Sequence, residues 1–161
     1  MSAHVLHRET TLPLPIEALF PFFERPENLA ELTPPEMGFE ILTPQPLEMR
    51  RGAVIDYTVG VLGTRLHWRT LISEYEPPYR FVDLQLKGPY AFWHHTHSFE
   101  SVTDGTLMKD TVRYLLPFGP LGRLVNRMLV SRRLNRIFDY RERAIRRLLL
   151  ERGDIAAVTA Q

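Results

Sequence analysis

Two alternating stretches in the middle of the chain set its hydrophobic pattern. Successive side chains of a strand point to opposite faces. Residues 90–102 therefore place Trp93, His95, His97, Phe99 and Ser101 on one face, and Phe92, His94, Thr96, Ser98 and Glu100 on the other. Thr103, Asp104 and Gly105 follow as a hairpin signal, since Asp-Gly tolerates the positive φ of tight turns. Residues 106–116 then set Met108, Asp110, Val112 and Tyr114 against Leu107, Lys109, Thr111, Arg113 and Leu115. An aromatic and aliphatic face that also carries two imidazoles and a carboxylate predicts the wall of a cavity.

The rest of the chain extends this meander. Residues 4–12 read as a first strand ended by Pro13 and Pro15, and 16–23 have apolar positions at helical spacing. A second short helical turn over 26–32 is stopped by Pro34 and Pro35. Strands follow at 39–43, 53–60, 64–76 and 79–87, with a turn at 61–63 and breaks at Pro77-Pro78 and Gly88-Pro89. Seven strands with short connections predict an α+β fold around a strongly curved antiparallel sheet.

The C-terminal region is helical, with two apolar stripes out of phase. At about 100° per residue, Leu134, Ile137, Phe138, Ala144, Ile145, Leu148 and Leu149 share one side, and Arg132, Arg136, Arg143, Arg146 and Arg147 lie opposite. Carried back to Leu121, the same register buries Arg123 and Arg127 and turns Leu124, Val125, Met128 and Leu129 away. A separate short helix over 121–129 and a reorientation at 130–133 are expected. Residues 1–152 read as one domain and 153–161 as a frayed tail.

Composition narrows the classes. Hydrophobic residues at 44% and charged residues at 24% are those of a soluble globular protein. A net charge of +1, and no aromatic platform among the arginines, argue against nucleic acid. The absence of cysteine excludes disulfides, thiolate metal sites and cysteine nucleophiles. No apolar run is long enough to span a bilayer and the N-terminus lacks a signal-peptide core, so a cytoplasmic location is expected. There is no nucleophile elbow, phosphate loop or dinucleotide fingerprint.

A strand, two short helices, a six-stranded meander and a long C-terminal helix together resemble the helix-grip architecture of the SRPBCC/START/birch-pollen-allergen superfamily. The resemblance covers about residues 5–151. A bacterial SRPBCC group is matched more narrowly at Asn28-Leu29, Leu32-Thr33-Pro34-Pro35, Phe81-Val82-Asp83-Leu84-Gln85 and Gly88-Pro89-Tyr90. The match continues from Trp93 through His95 and His97 to Phe99, at Gly105-Thr106-Leu107-Met108-Lys109-Asp110, and at Ile137-Phe138-Asp139-Tyr140-Arg141. The resemblance implies a sheet curved around the long helix, a hydrophobic cavity between them, and Asp83 and Gln85 facing inward beside the histidines. It does not imply a reaction, because a fold does not fix a function.

The candidate ligand-binding residues are Asp83, Gln85, Trp93, His95, His97, Phe99, Met108, Asp110, Val112, Tyr114, Phe138 and Arg141. The apolar members would form the wall. The two histidines, Asp83, Asp110, Tyr114 and Arg141 would hold a polar end. His95 and His97 with Asp110 or Asp83 also make up a two-His-one-carboxylate set, and the same residues form a hydrogen-bonded polar patch without a metal. The patch is the expectation, with no metal and no cofactor. Three functions follow: binding of a hydrophobic small molecule or lipid, cofactor-free aromatase/cyclase or dehydratase chemistry on a polyketide-like substrate, or an interaction module with a vestigial pocket. His95, His97 and Asp110 are the catalytic candidates for the second. The five arginines of the long helix form a solvated face or one that docks on anionic lipid.

Overall fold

Period-two alternation becomes seven strands: β1 (His4–Leu12), β2 (Glu40–Ile41), β3 (Val54–Val61), β4 (Thr64–Glu76), β5 (Arg80–Lys87), β6 (Phe92–Val102) and β7 (Gly105–Leu115). They form one antiparallel sheet in the order β1-β7-β6-β5-β4-β3-β2, so the chain runs as a meander from β2 to β7 and then pairs β7 with β1. This computed structural model describes residues 3–61 and 63–151. Leu62 in the expected turn, the tail after Gly153 and the side chains of Arg123 and Arg127 lie outside the described residues. The β6–β7 turn depends on Gly105, whose φ is +133°. A Cβ there would lie 2.1 Å from the Leu12 carbonyl oxygen, so glycine lets β1 close over the turn.

Two short helices, α1 (Ile16–Phe23) and α2 (Asn28–Glu31), separate β1 from β2, as expected, and a 3-10 turn at Pro35–Met37 follows the proline pair. After β7 come α3 (Gly119–Val125), a π-helical turn at Asn126–Val130 and α4 (Ser131–Glu151). The core has two main clusters. One joins Phe20 and Phe23 of α1 to Phe81, Phe99, Ile145 and Leu149. The other joins Trp68, Trp93, Val112 and Tyr114 of the sheet to Leu134 and Phe138 of α4. Arg8 of β1 ties α4 from the side, donating to Asn135 Oδ1 at 2.6 Å and to Asp139 Oδ1 at 3.0 Å.

The expected short helix forms as α3, ending at Val125 rather than at 129, and the change of phase falls in the turn at Asn126–Val130, just ahead of the expected 130–133. Helical backbone continues from α3 through the π-helical turn into α4 with no other residue between them. The wider turn re-phases the helix. It brings Asn126 inward, 6% exposed, where its Oδ1 accepts a hydrogen bond from Tyr114 Oη at 2.9 Å. A polar tie therefore holds this stretch to the sheet, and the apolar residues of α3 remain exposed. The strand expected at 39–43 shortens to two residues. The strand expected from residue 90 begins at Phe92, because Gln85 takes both backbone groups of Tyr90: its Nε2 donates to the Tyr90 carbonyl at 2.8 Å and its Oε1 accepts from the Tyr90 amide at 3.3 Å.

Candidate functional site

Strand register assembles a polar cluster on the inner face of the sheet. Asp83 of β5 pairs with His95 of β6, and His97 of β6 pairs with Asp110 of β7, so two carboxylates flank two histidines on adjacent strands. The imidazoles are 3.8 Å apart between centroids. Each carboxylate meets a nitrogen from both rings. Asp110 Oδ1 lies 2.8 Å from His95 Nε2 and 2.9 Å from His97 Nδ1, and Asp83 Oδ2 lies 2.9 Å from His97 Nε2 and 3.6 Å from His95 Nδ1. The Asp110–His97 contact is close but off the N–H axis, leaving His97 Nδ1 without a well-aligned hydrogen bond. His97 is stacked between His95 and the Phe81 ring, whose centroid is 4.2 Å away. The quartet thus lies where the two core clusters meet.

Buried charge is tolerable only when compensated. Burial alone would pull His97 below the ordinary histidine value, but the adjacent Asp110 and Asp83 carboxylates outweigh it and hold the pKa above that value. His95 goes the other way: burial, and then the neighbouring His97, hold it below the ordinary value despite both carboxylates. Burial would raise Asp110, yet the Arg141 charge and the two histidines hold it well below the usual carboxylate range. Asp83 is lowered too, as His95, His97 and Arg141 overcome burial. These opposed directions put the extra proton of the pair on His97 rather than on His95. Two carboxylates, one imidazolium and the Arg141 guanidinium then sum to zero charge.

Arg141 does not snorkel to water. Its side chain is 10% exposed, with Nε 4.0 Å from Asp110 Oδ2 and Cζ 5.9 Å from the centroid of the Phe23 ring. No hydrogen-bond acceptor meets that Nε among the described residues.

Beside the quartet, a cavity of about 280 Å³ separates the sheet from α4. Its sheet wall includes Tyr57, Val59, Trp68, Thr70, Phe81 and Trp93, and its helix wall Leu134, Ile137, Phe138 and Arg141. Phe22, Leu29, Leu32 and Met37 close it from the side of α1 and α2. Asp83, His95 and His97 are the acidic and imidazole groups in an otherwise mostly apolar lining.

This is the helix-grip fold of START-like proteins. A START superfamily protein from Mycobacterium smegmatis superposes with a TM-score of 0.68 at 13% identity, covering 90% of this chain and 99% of that one. Ara h 8.0201 superposes at 0.58 and 19% identity, covering 89% and 97%. The di-domain ARO/CYC StfQ from the steffimycin biosynthetic pathway reaches 0.73 at 12% identity, and this chain, 95% covered, spans 52% of it. No family model and no curated protein matches the sequence.

Within this helix-grip frame, six of the twelve expected residues line the cavity: Asp83, Trp93, His95, His97, Phe138 and Arg141. The other six lie elsewhere. Gln85 is used in the turn before β6. Phe99 and Met108 are packed in the α1 cluster, and Val112 and Tyr114 in the other. Asp110 stands behind the histidines, 2% exposed. The reason is topological: β7 lies beside β1, which Arg8 joins to α4, so residues of β7 meet protein where those of β5 and β6 meet the cavity. Sequence reasoning missed the opposite wall. Tyr57 and Trp68 are directly paired across β3 and β4, with rings stacked at 5.9 Å, and that aromatic pair on alternating strands was the available signal.

Asp83, His95 and His97 each place one donor atom within 4.8 Å of the others, which are the residues able to hold a divalent cation. Such an ion would have to displace the His97 proton and sit close to Arg141. With Arg141, that proton already balances the two carboxylates, so protein as isolated is expected to carry no stoichiometric transition metal and to keep its melting temperature on chelation. Elemental analysis finding about one zinc or iron per chain would overturn that expectation.

Proposed function

We propose that this protein binds a hydrophobic small molecule or lipid in the cavity between the sheet and α4, with the ligand's polar end against Asp83 and Arg141. The observation that carries this reading is a largely apolar cavity that ends on the Asp83–His95–His97–Asp110 quartet with Arg141 beside it. A closed core gains nothing from such a group, since replacing buried ion pairs by packed apolar residues is often neutral or stabilising. Next to a cavity, the same cluster presents fixed donors and acceptors to a ligand that is otherwise apolar. Arg141 Nε offers a donor without a protein acceptor. A volume of about 280 Å³, close to the lower end for small-molecule sites, favours this reading over an interaction module with a vestigial pocket.

The chain has two tryptophans, and both Trp68 and Trp93 line the cavity, their rings in edge contact at 5.3 Å. Ligand entry is therefore expected to change the intrinsic fluorescence. Titration with a long-chain fatty acid and with an anilinonaphthalene dye should give saturable changes. Val59→Phe adds a ring to the cavity wall without touching the quartet. It should weaken binding of whichever probe saturates by at least about tenfold while costing no more than about 1–3 kcal/mol of stability, with binding measured well below the transition. Unchanged affinity in Val59→Phe would remove the cavity as the binding site.

A second reading, cofactor-free cyclase or dehydratase chemistry on a polyketide-like substrate, draws on the same quartet. Its support is the opposed tuning of the two cavity-lining histidines, with His97 held protonated as a general acid and His95 neutral as a base. The binding reading needs fewer steps and is the one adopted.

A further inference from the structure

We propose that the outward face of α3 and the π-helical turn after it is a docking surface for an anionic lipid bilayer. Of the thirteen large hydrophobic residues exposed among the described residues, six fall between 118 and 129. Phe118 is 80% exposed, Leu121 61%, Leu124 53% and Met128 63%, with Val125 and Leu129 beside them. Leu121, Leu124 and Val125 stand at i, i+3 and i+4 and share one face of α3, and Met128 and Leu129 follow, exposed, in the π-helical turn. A contiguous apolar patch of this kind marks an interaction site rather than ordinary surface.

Charge names the partner. Residues 111–138 contain six arginines and no acidic residue. Of these, Arg132 and Arg136 are exposed at the start of α4, directly after the patch, and Arg113 is exposed on β7. Apolar side chains at helical spacing within a segment of purely positive charge match a surface with an acyl layer beneath anionic head groups. The arginine face of α4 alone would supply attraction without insertion, and Arg146 there is paired with Glu142 at 3.3 Å. The patch also reaches the cavity. Leu129 is 46% exposed and lines it, and Val130 and Arg133, next along the helix, line it too. A bilayer bound at α3 would therefore lie at the cavity rim, where an apolar ligand could pass without crossing water.

Flotation of the full chain with vesicles tests this independently of any ligand. The protein should float with equimolar phosphatidylglycerol and phosphatidylcholine but not with phosphatidylcholine alone. Raising salt to about 0.5 M should release it, because the screening length falls to a few ångströms. The double variant Leu124→Ser with Met128→Ser should lose flotation by about tenfold with its melting temperature unchanged, since both side chains are exposed. Leu42→Ser, a similarly exposed leucine on another part of the surface, should float like wild type. Equal flotation with both vesicle types, no flotation with either, or full flotation of the double variant would each overturn the proposal. So would a wild-type dimer in solution that the double variant converts to a monomer, which would assign the patch to a second copy.

Discussion

Asp110→Ala is expected to lower the melting temperature by roughly 10 °C, a loss of about 3–5 kcal/mol. Asp110 contacts both histidines, is 2% exposed and is the carboxylate nearest Arg141. Without it, an imidazolium and a guanidinium share one carboxylate, Asp83, with both cations buried. The pH dependence follows from the directions of the shifts. Asp110 is lowered in the fold, so its contribution is complete above the unfolded value of about 4 and is lost as pH falls through the folded one. His97 is raised, so its contribution is complete below about 6.5 and is lost as pH rises through its folded value. The difference between wild type and Asp110→Ala should therefore be largest between about pH 4 and about pH 6.5, and narrow as pH falls below that window or rises from it through the folded pKa of His97. Thermal melts across that range check it, and a difference that kept growing into the alkaline range would contradict a protonated His97.

The second large effect is expected at Phe99. Its ring is 3% exposed, 5.4 Å from Phe20 in an edge contact and 5.2 Å from Phe23, and it does not line the cavity. Phe99→Ala should cost about 3–5 kcal/mol through lost burial and the void left between α1 and the sheet. The cavity wall at Trp68, Trp93 and Val59 should be unaffected. Denaturant unfolding, with probe binding measured well below the transition, separates the two. Weakened binding at unchanged stability would place Phe99 in the site rather than behind it.

His97→Leu is expected to lower stability as well as binding. Read from the strand alone, His97 looks like a ligand contact whose loss would spare the fold. The quartet changes that expectation, because leucine there would leave Asp83 and Asp110 facing each other with Arg141 as their remaining cation. Its effect on binding cannot be separated from its effect on stability, and Val59→Phe is the cleaner probe.

What was legible had a local cause. β1, α1 and β4 carry the expected bounds because alternation or helical spacing is cut off by prolines or turns at their ends. His95 and His97 share a face by the pleat alone. Their partners were harder to read, since which carboxylate meets which nitrogen depends on the register of three strands and on diagonal as well as direct pairs. The phase change in the C-terminal helix was visible, but its solution was not. The reading assumed that the apolar residues at 121–129 must be buried, whereas the bond between Tyr114 and Asn126 holds that stretch and leaves them at the surface. The far wall of the cavity was missed because Tyr57 and Trp68 also read as ordinary strand residues.

Native mass spectrometry of protein purified without lipid extraction tests the central claim most directly. Wild type should carry a small apolar adduct, or acquire one on incubation with a long-chain fatty acid, in a ratio of about one per chain. Val59→Phe, prepared in the same way, should fly as the bare chain. Bare wild-type protein that takes up no apolar compound, or an adduct retained in full by Val59→Phe, would contradict ligand binding in this cavity.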